Sequence, residues 1–280
     1  MIGKLYIVAT PIGNLKDITL RALEALEKAD IIAAEDTRQS IKLLNHFNIK
    51  KPLISYHMHN ERSSAMDLIG KLKEGKNVAL VTDAGTPGIS DPGSVIIRAC
   101  IEENLPMEVI PGACASITAL VYSGLDTTSF IFKGFLPWEN KERKELILEL
   151  KDRKETVIFY EAPHRLRATL GFLLDSFGNR KLSLCREMTK LHEEILRMDI
   201  ETALKYYDTK EPKGEYVLIM EGKKVETIKE EEKARWEGMS IEEHIKAYMD
   251  SGMDKKEAIK AVAHEREIPK SDIYKYSLKL

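Results

Sequence analysis

Residues 77–93 of the chain read NVALVTDAGTPGISDPG. The first six form a short aliphatic run that is typical of a buried strand. The next eleven contain three glycines, two prolines and two aspartates, more turn-forming residues than a simple connection needs. Because glycine lets backbone groups approach a ligand and proline stiffens a loop without adding bulk, the stretch predicts a strand that ends in a ligand-binding loop.

Similar aliphatic runs at residues 5–10, 31–34, 52–55 and 107–110 predict four more strands. Helical spacing lies between them, with Asp17 as a candidate N-cap for the first helix, Asn60 and Gly75 as the ends of another, and a third over residues 93–103. Alternating strands and helices predict an α/β fold with a mostly parallel sheet covered on both faces. Since ligands bind at the carboxyl ends of such strands, loops 9–13 and 111–115 should join loop 83–93 in a site.

The alternation resumes after residue 129, with strands predicted at 130–135, 156–160, 181–185 and 216–220 and helices at about 141–150 and 165–177. A charge run at residues 229–233 is followed by three short helices that start near Ser240, Asp254 and Pro269. We therefore expect an N-terminal α/β domain over 1–124, a C-terminal α/β domain over 125–225 and a helical tail over 226–280.

Composition excludes several classes of protein. The chain has 280 residues and a formal net charge of −2, which argues against a polycationic nucleic-acid coat. Its three cysteines form no CxxC, and His57 and His59 lack a third ligand at a metal-site spacing, so no metal is expected. The sequence lacks GxGxxG and GxxxxGK[ST], which argues against NAD and ATP. A short, weakly charged N-terminus and the absence of a long apolar span predict a cytoplasmic protein with no membrane partner.

Several motifs together carry a family resemblance. In chain order they are TPIGN, LKDITLRALEAL, VTDAGTPGISDPG, PGACASITAL, TVIFYEAPHR, CREMTKLHEE and GEYVLIMEG. They closely resemble the tetrapyrrole methylase superfamily, and within it the branch that methylates small-subunit ribosomal RNA, the methyltransferase I type. The resemblance implies two α/β domains with a cleft between them that binds S-adenosylmethionine (SAM), a homodimer, and methylation of the ribose 2′-hydroxyl of a cytidine in the decoding region of 16S rRNA.

Two departures from the tetrapyrrole-modifying members favour RNA over a porphyrinoid. Those members open with a GxGPGD loop, where this chain has residues 9–14, ATPIGN. They also tend to lack the blocks EDTR at 35–38 and EAPHR at 161–165. Methylation of a tetrapyrrole precursor at carbon therefore stays as the first alternative, and a ribosome-assembly binding protein that has lost catalysis as the second.

The resemblance also assigns roles to residues by position. The implied SAM contacts, many of them through backbone atoms, are Pro11, Thr82, Asp83, Thr86, Cys114, Ala115, Glu161, Met188 and Glu215. Asp83 could instead cap a loop, and Cys114 is a small residue near the cofactor rather than a nucleophile, because no activating partner is evident.

The cations that follow predicted strands suit a phosphate-bearing substrate, with a structural ion pair as the alternative for each. These candidate RNA contacts are Arg38, His164, Arg165, Arg186 and Lys190. The basic residues of the tail, Lys255, Lys256, Lys260, Arg266, Lys270, Lys275 and Lys279, are either RNA contacts or ordinary surface charge. A ribose hydroxyl is a weak acid, so a base or a cation would help the reaction. Four residues are candidates for that group, and the sequence does not choose among Glu187, Lys190, Asp36 and His164.

Overall fold

A computed structural model describes residues 1–224, 226–227, 230, 234 and 236–278 of the chain. They divide into two compact units. The larger unit comprises Met1–Leu148 with Glu155–Glu221, and the smaller comprises Glu149–Lys154 with Gly222–Leu280. The predicted boundaries at residues 124 and 225 stay predictions. The charge run predicted at 229–233 lies, apart from Glu230, outside the described residues, as does Lys279.

The larger unit contains a parallel sheet in the strand order β3-β2-β4-β1-β5. Its strands are β1 (Leu5–Val8), β2 (Ile31–Ala34), β3 (Leu53–Ser55), β4 (Val78–Val81) and β5 (Met107–Ile110). The helices of this half of the chain are α1 (Leu20–Lys28), α2 (Thr37–His46), α3 (Glu61–Lys73), α4 (Ser94–Glu102) and α5 (Ala115–Ser123). The fold class and all five predicted strands are confirmed, with strand ends that differ by at most two residues.

Alternating side chains explain why this sheet is covered on both faces. Leu5, Ile7 and Leu80 pack into one apolar cluster with α3 and α4, whereas Val8 and Val81 pack into a second cluster with α1 and α2. Such alternation is expected of strands that are buried on both sides. The two apolar layers hold the carboxyl ends of β1, β4 and β5 side by side.

A mixed sheet in the strand order β6-β7-β10-β8-β9 completes the unit. Its strands are β6 (Phe130–Phe135), β7 (Thr156–Glu161), β8 (Lys181–Arg186), β9 (Glu194–Asp199) and β10 (Tyr216–Met220), with helices α6 (Asn140–Leu150), α7 (Leu166–Phe177) and α8 (Ile200–Thr209). Strand β6 runs parallel to β7, and the remaining pairs are antiparallel. Helix α5 packs on this sheet through Ala119 and Leu120.

Helix ends follow the local sequence, with one correction. Asp17 does not cap α1: it lies in a 3-10 turn over Leu15–Asp17, and the Thr19 side chain accepts the Ala22 N–H instead. Helix α3 ends as predicted at Gly75, whose φ of 90° needs a residue without a Cβ atom. The Lys76 N–H then donates to the Lys71 carbonyl, a Schellman ending.

The smaller unit contains the three helices predicted for the tail, α9 (Ile241–Asp250), α10 (Lys255–Glu265) and α11 (Lys270–Ser277). Ser240 and Asp254 cap the first two, and Ser240 forms a capping box with Glu243. Ile245, Val262 and Ile273 meet in its core. No helix in the described part of the chain is long and apolar enough to span a membrane.

Loop 83–93 is held at its far end by two side chains from elsewhere in the parallel-sheet half. Helix α4 follows the loop and lacks a side-chain cap of its own. The Glu61 Oε1 atom accepts the N–H groups of Gly93 (2.8 Å) and Val95 (3.2 Å). The Tyr56 hydroxyl donates to the same oxygen (3.2 Å) and accepts the Ile96 N–H (3.3 Å). Tyr56 is fully buried, so these bonds form away from water.

Tyr56→Phe should therefore destabilise the protein. The Ile96 N–H and Glu61 each lose a buried partner, which costs about 1–3 kcal/mol of unfolding free energy. Urea unfolding with an unchanged m-value measures the loss. Tyr6→Phe is the matched control, because no hydrogen bond to the Tyr6 hydroxyl is found among the described residues. Equal stability of the two variants would show that the Tyr56 hydroxyl does not hold this loop.

Candidate functional site

A cleft of about 440 Å³ lies where the carboxyl ends of the parallel strands face the mixed sheet. Its parallel-sheet wall consists of loop residues Ile12, Ala84, Gly85, Thr86, Ile89, Ser90, Asp91, Cys114 and Ala115. Its mixed-sheet wall consists of Phe135, Tyr160, Glu161, Ala162, Pro163, His164, Cys185, Glu187, Met188, Lys190, Glu215, Tyr216 and Val217. The three loops expected to share a site from the sequence therefore do so.

The loops after β1 and β4 are joined by backbone hydrogen bonds. The Thr10 N–H donates to the Gly85 carbonyl (2.8 Å), and the Gly85 N–H donates back to the Thr10 carbonyl (3.1 Å). The Thr10 hydroxyl donates to the Thr82 carbonyl at 3.1 Å. Gly85 has a φ of 82°, a conformation that favours glycine. These bonds join the two loops into one surface, and Ile12 and Gly85 of that surface line the cleft.

The loop after β1 also contacts the turn that follows β8. The Asn14 N–H donates to the Thr189 hydroxyl at 3.0 Å, across 175 residues of sequence. A Cβ atom on Gly13 would lie 2.5 Å from Lys190 Cγ and 3.0 Å from the Met188 carbonyl oxygen. Glu187 and Thr189 have φ angles of 49° and 65°, in a region that non-glycine residues seldom adopt. This strained turn contacts the β1 loop, and its residues Glu187, Met188 and Lys190 line the cleft.

Carboxylates dominate the parallel-sheet side of the site. Burial, together with the neighbouring charges of Glu35 and Asp83, raises the pKa of Asp91 to about 7. Burial also raises the pKa of Glu35 and of Asp83. The Asp83 carboxylate accepts the Asp36 N–H at 3.2 Å, and the Asp83 N–H donates to Glu35 at 3.3 Å. These bonds tie the ends of β2 and β4 together beside the cleft.

On the mixed-sheet side, Glu187, Lys190 and Glu215 form a linked cluster. The Lys190 ammonium lies 3.0 Å from Glu187 Oε1 and 2.9 Å from Glu215 Oε2. Burial opposes the charge on Glu187, but the Glu215 N–H at 2.9 Å and the ion pair with Lys190 lower its pKa. Burial likewise opposes the charge on Lys190, and its two carboxylate partners raise its pKa. Glu187 and Lys190 are therefore both charged at neutral pH.

Glu161 is a buried carboxylate whose oxygens are engaged by its own half of the fold. Its Oε2 accepts the Thr169 hydroxyl at 2.5 Å, and its Oε1 accepts the Ala162 N–H at 2.9 Å. The Arg165 Nε lies 3.4 Å from the same Oε1. The side chain of Arg165 is 9% exposed in this pair.

Six of the nine residues expected to contact the cofactor line the cleft, namely Thr86, Cys114, Ala115, Glu161, Met188 and Glu215. Pro11, Thr82 and Asp83 are not among the lining residues. Thr82 is buried, and Asp83 is exposed and holds the Asp36 N–H. The cofactor role of all nine stays a prediction.

Among the four catalytic candidates, Glu187, Lys190 and His164 line the cleft, whereas Asp36 does not. The Arg38 guanidinium is hydrogen-bonded to Asp36 and lowers the pKa of that carboxyl to about 2. Asp36 also caps α2 through the Arg38 N–H. A carboxylate held in this way is a weak base outside the cleft.

The expected RNA contacts fall into two groups. His164 and Lys190 lie at the cleft, and Arg38 is exposed beside Asp36. Arg186 is four-fifths buried and pairs with Glu194 at 3.1 Å. The prediction for Arg165 needs correction: its buried guanidinium donates to the Leu136 carbonyl, so it supports the fold instead of facing RNA.

Sequence reasoning did not single out several lining residues. Asp91 lies within loop 83–93, which the sequence predicts to bind a ligand. Its pKa depends on burial, on Glu35 from another part of the chain and on Asp83 at the start of the loop. Phe135 and Tyr160 read as ordinary strand residues. Among the described residues, no group of three or more His, Cys, Asp or Glu side chains is placed to hold a metal ion.

This α/β fold of a parallel sheet and a mixed sheet superposes on solved structures. Uroporphyrin-III-C-methyltransferase from Thermus thermophilus superposes with a TM-score of 0.57 at 22% identity, over 78% of this chain and 94% of that one. A diphthine synthase gives a TM-score of 0.61 at 17% identity, over 79% and 90%. At these identities the likeness establishes the fold. The class of protein it defines is a two-sheet α/β protein with a cleft at the strand ends.

The chain belongs to the family described as Tetrapyrrole (Corrin/Porphyrin) Methylases, which matches residues 4–204. It is 51% identical over 274 residues to "Ribosomal RNA small subunit methyltransferase I" of Halalkalibacterium halodurans, covering 97% of this chain and 93% of that protein. The protein of that name from Escherichia coli O157:H7 is 42% identical, with 99% and 95% covered. The one from Thermotoga maritima is 44% identical over 221 residues, which are 99% of that protein but 79% of this chain.

Gly13→Ala should separate the two walls of the cleft. The added methyl group would overlap Lys190, Thr189 and the Met188 carbonyl, and the backbone contact cannot yield by a rotamer change. We expect at least a tenfold loss of affinity for a ligand that touches both walls, with an unfolding free energy lowered by about 1–3 kcal/mol for overpacking. Calorimetric titration with SAM and urea unfolding measure the two effects.

Gly70→Ala is the control for this substitution, because no atom outside its chain neighbours and the nearby backbone of its own helix lies within 4 Å of the position where its Cβ would be built. Wild-type affinity in a folded Gly13→Ala protein would show that the contact between the two loops does not shape the cleft.

Proposed function

We propose that the chain is a SAM-dependent methyltransferase that methylates the ribose 2′-hydroxyl of a cytidine in the decoding region of 16S rRNA, within the small ribosomal subunit. The family and the names of relatives that are 42–51% identical over nearly the whole chain support this reaction. The ribosomal substrate supports a cytoplasmic location.

The charge of the cleft is the structural observation that carries the proposal. Four carboxyl groups line it, from Asp91, Glu161, Glu187 and Glu215, and two cations pair with them, Lys190 in the lining and Arg165 beside Glu161. A site with this excess of negative charge attracts a cation and repels phosphate. SAM carries a sulfonium and an ammonium group, and its uncharged adenine suits the apolar lining residues Ile12, Ile89, Met188 and Val217.

In this reaction the chain binds the cofactor and the RNA, aligns them, and removes one proton from the ribose hydroxyl. When bound, the cofactor supplies a methyl group already activated by positive charge. The two walls align the ribose oxygen for in-line displacement. This alignment gives most of the rate enhancement of such a transfer. Lys190 stays protonated, so its ammonium can stabilise charge that develops on the ribose oxygen.

His164 is the side chain that we assign to proton removal. It lines the cleft, it is exposed, and no partner for its imidazole is found among the described residues. Glu187 is ionised, but its Oε1 is already engaged by Lys190 and by the Glu215 N–H. Imidazole is the usual general base at neutral pH.

The reaction is tested by incubating the protein with methyl-labelled SAM and 30S subunits that lack the modification, and then mapping the labelled nucleotide. We expect one labelled cytidine in the decoding region, with the label on the ribose. Label on a base, or in a porphyrinoid and not in 30S subunits, would overturn the proposal. Tight SAM binding without transfer to any substrate would favour the binding-protein alternative.

Affinity for SAM should depend on pH through Asp91. A bound cation favours the ionised carboxylate, so binding releases a proton wherever the free protein holds one. With a pKa of about 7, affinity should fall about tenfold per pH unit below pH 7 and level off above pH 8. Calorimetric titrations from pH 5.5 to 8.5 measure this slope.

Asp91→Asn should bind SAM more weakly at pH 8 and lose the slope between pH 6 and 7. Asp36→Asn is the control: Asp36 lies outside the cleft and its pKa is about 2, so the wild-type slope should remain. An unchanged slope in Asp91→Asn would remove Asp91 from the site.

We further propose a homodimer that uses the outer face of α5. Ile117 and Val121 lie one turn apart and are 46% and 72% exposed. Stable interfaces between identical subunits are apolar, and a net charge of −2 leaves one chain little basic surface with which to hold a ribosomal subunit. A dimer combines the basic surfaces of two chains.

Val121→Asp should convert the dimer to a monomer in light scattering, because it places a charge in an apolar interface. Ile101→Asp, on the 62% exposed face of α4, should leave the dimer intact. A monomeric wild-type protein would contradict the dimer, and a dimeric Val121→Asp protein would place the interface elsewhere.

The helical tail is proposed as an auxiliary RNA contact through lysines of α10 and α11. The cleft residues all precede the tail segment 222–280. Removal of the tail should therefore weaken binding to 30S subunits more than it slows methyl transfer.

A further inference from the structure

Two exposed aromatic rings lie three positions apart in the chain, one at the end of β6 and one in the loop that follows it. Phe135 ends strand β6, lines the cleft and is 53% exposed, and Trp138 in the next loop is 71% exposed. Burial of such rings is worth more than that of most side chains, so their exposure beside a binding cleft indicates a ligand surface.

A β-bulge places Phe135 at this position. The pairing of β6 with β7 runs in register as far as Phe132 opposite Ile158, skips one residue, and resumes with Gly134 opposite Phe159. Because side chains alternate along a strand, skipping one residue reverses the face to which the following ones point. Gly134 accommodates the irregularity with a φ of 64°. As a result, Phe135 pairs with Tyr160 and lies beside it, with 5.8 Å between ring centroids.

The Trp138 ring is supported from one side by Arg165. The guanidinium carbon of Arg165 lies 4.0 Å from the centroid of the indole ring. The same guanidinium donates to the Leu136 carbonyl at 2.6 Å, and Arg143 donates to the Pro137 carbonyl at 2.9 Å. The loop that carries Trp138 is therefore fastened at two consecutive carbonyls.

We propose that Phe135 and Trp138 form a stacking platform for unpaired nucleobases of the RNA substrate. The inference rests on the proposed function and adds the subsite that recognises the RNA. An aromatic ring with one face backed by arginine and the other open is suited to stacking on a base. The acidic cleft beside it repels phosphate, so the contact is made through uncharged bases. Two rings are too small an area for a stable protein partner.

Substitutions of Trp138 test the platform by steady-state kinetics with 30S subunits. Stacking on one aromatic side chain contributes between about 5-fold and 150-fold in affinity. Trp138→Leu should raise KM for 30S subunits by a factor in that range, whereas Trp138→Phe keeps a ring and should lose at most a few-fold. The affinity for SAM should stay at the wild-type value in both variants.

Leu148→Ala is the control, because Leu148 is also 71% exposed and lies on α6 outside the cleft lining. Equal KM values for Trp138→Leu and Trp138→Phe would overturn the stacking role. An equal rise in KM for Leu148→Ala would do the same, since it would show a general effect of removing exposed apolar surface.

Fluorescence gives a readout that does not depend on methyl transfer. The chain has two tryptophans, so Trp236→Phe leaves Trp138 as the sole reporter. A ten-nucleotide oligocytidylate should quench its emission saturably, and an abasic oligonucleotide of the same length and charge should not. Equal quenching by both would show contact with phosphate alone, and no quenching by either would show that no base reaches the ring.

The two experiments separate the platform from the reaction. Quenching by the oligocytidylate without labelling of 30S subunits would support the platform while overturning the proposed function. Labelling of 30S subunits by a protein whose Trp138 is not quenched would support the function and overturn the platform.

Discussion

The contact between the loop after β1 and the turn after β8 is the constraint on which the site depends. Gly13 has no room for a side chain beneath Lys190, and the Asn14 N–H is bound by the Thr189 hydroxyl. This contact brings the parallel sheet and the mixed sheet to a common cleft. The positive φ angles of Glu187 and Thr189 show that the turn is held in an unfavourable conformation by its surroundings.

The charge of the cleft decides which part of each ligand can enter. Carboxylates on both walls favour a cationic cofactor, and the low pKa of Glu187 and the high pKa of Lys190 keep that pattern fixed at neutral pH. The charge of Asp91 changes with pH near neutrality, because its pKa is about 7. RNA must then present a ribose and a base to the cleft while its phosphates stay outside, where exposed cations such as Arg38 lie.

Much of the fold could be predicted from the sequence because it depends on local pattern. All nine expected strands form, since each is a short aliphatic run between turn residues. Strand β9 was missed: it is an edge strand whose sequence, EILRMD, carries charges at both ends, and its pairing with β8 comes from tertiary contact. The starts of α9 and α10 near Ser240 and Asp254 could be predicted because they depend on local sequence, and both residues cap their helices.

The site was less predictable because its properties arise between distant residues. The loops themselves could be named from their glycines and prolines, and the resemblance added positions on the second wall. The burial of Arg165 beneath Trp138 and the raised pKa of Asp91 depend on neighbours that the chain brings together only when folded. No spacing in the sequence encodes the bulge that aims Phe135 at the cleft.

Hydrogen–deuterium exchange with and without SAM tests whether one ligand is held by both sheets at once. We expect the backbone amides of the β1 loop, residues 9–16, and of the β8 turn, residues 186–192, to become protected together and at the same SAM concentration. Protection of only one of these segments, or of neither at saturating SAM, would contradict a shared cleft.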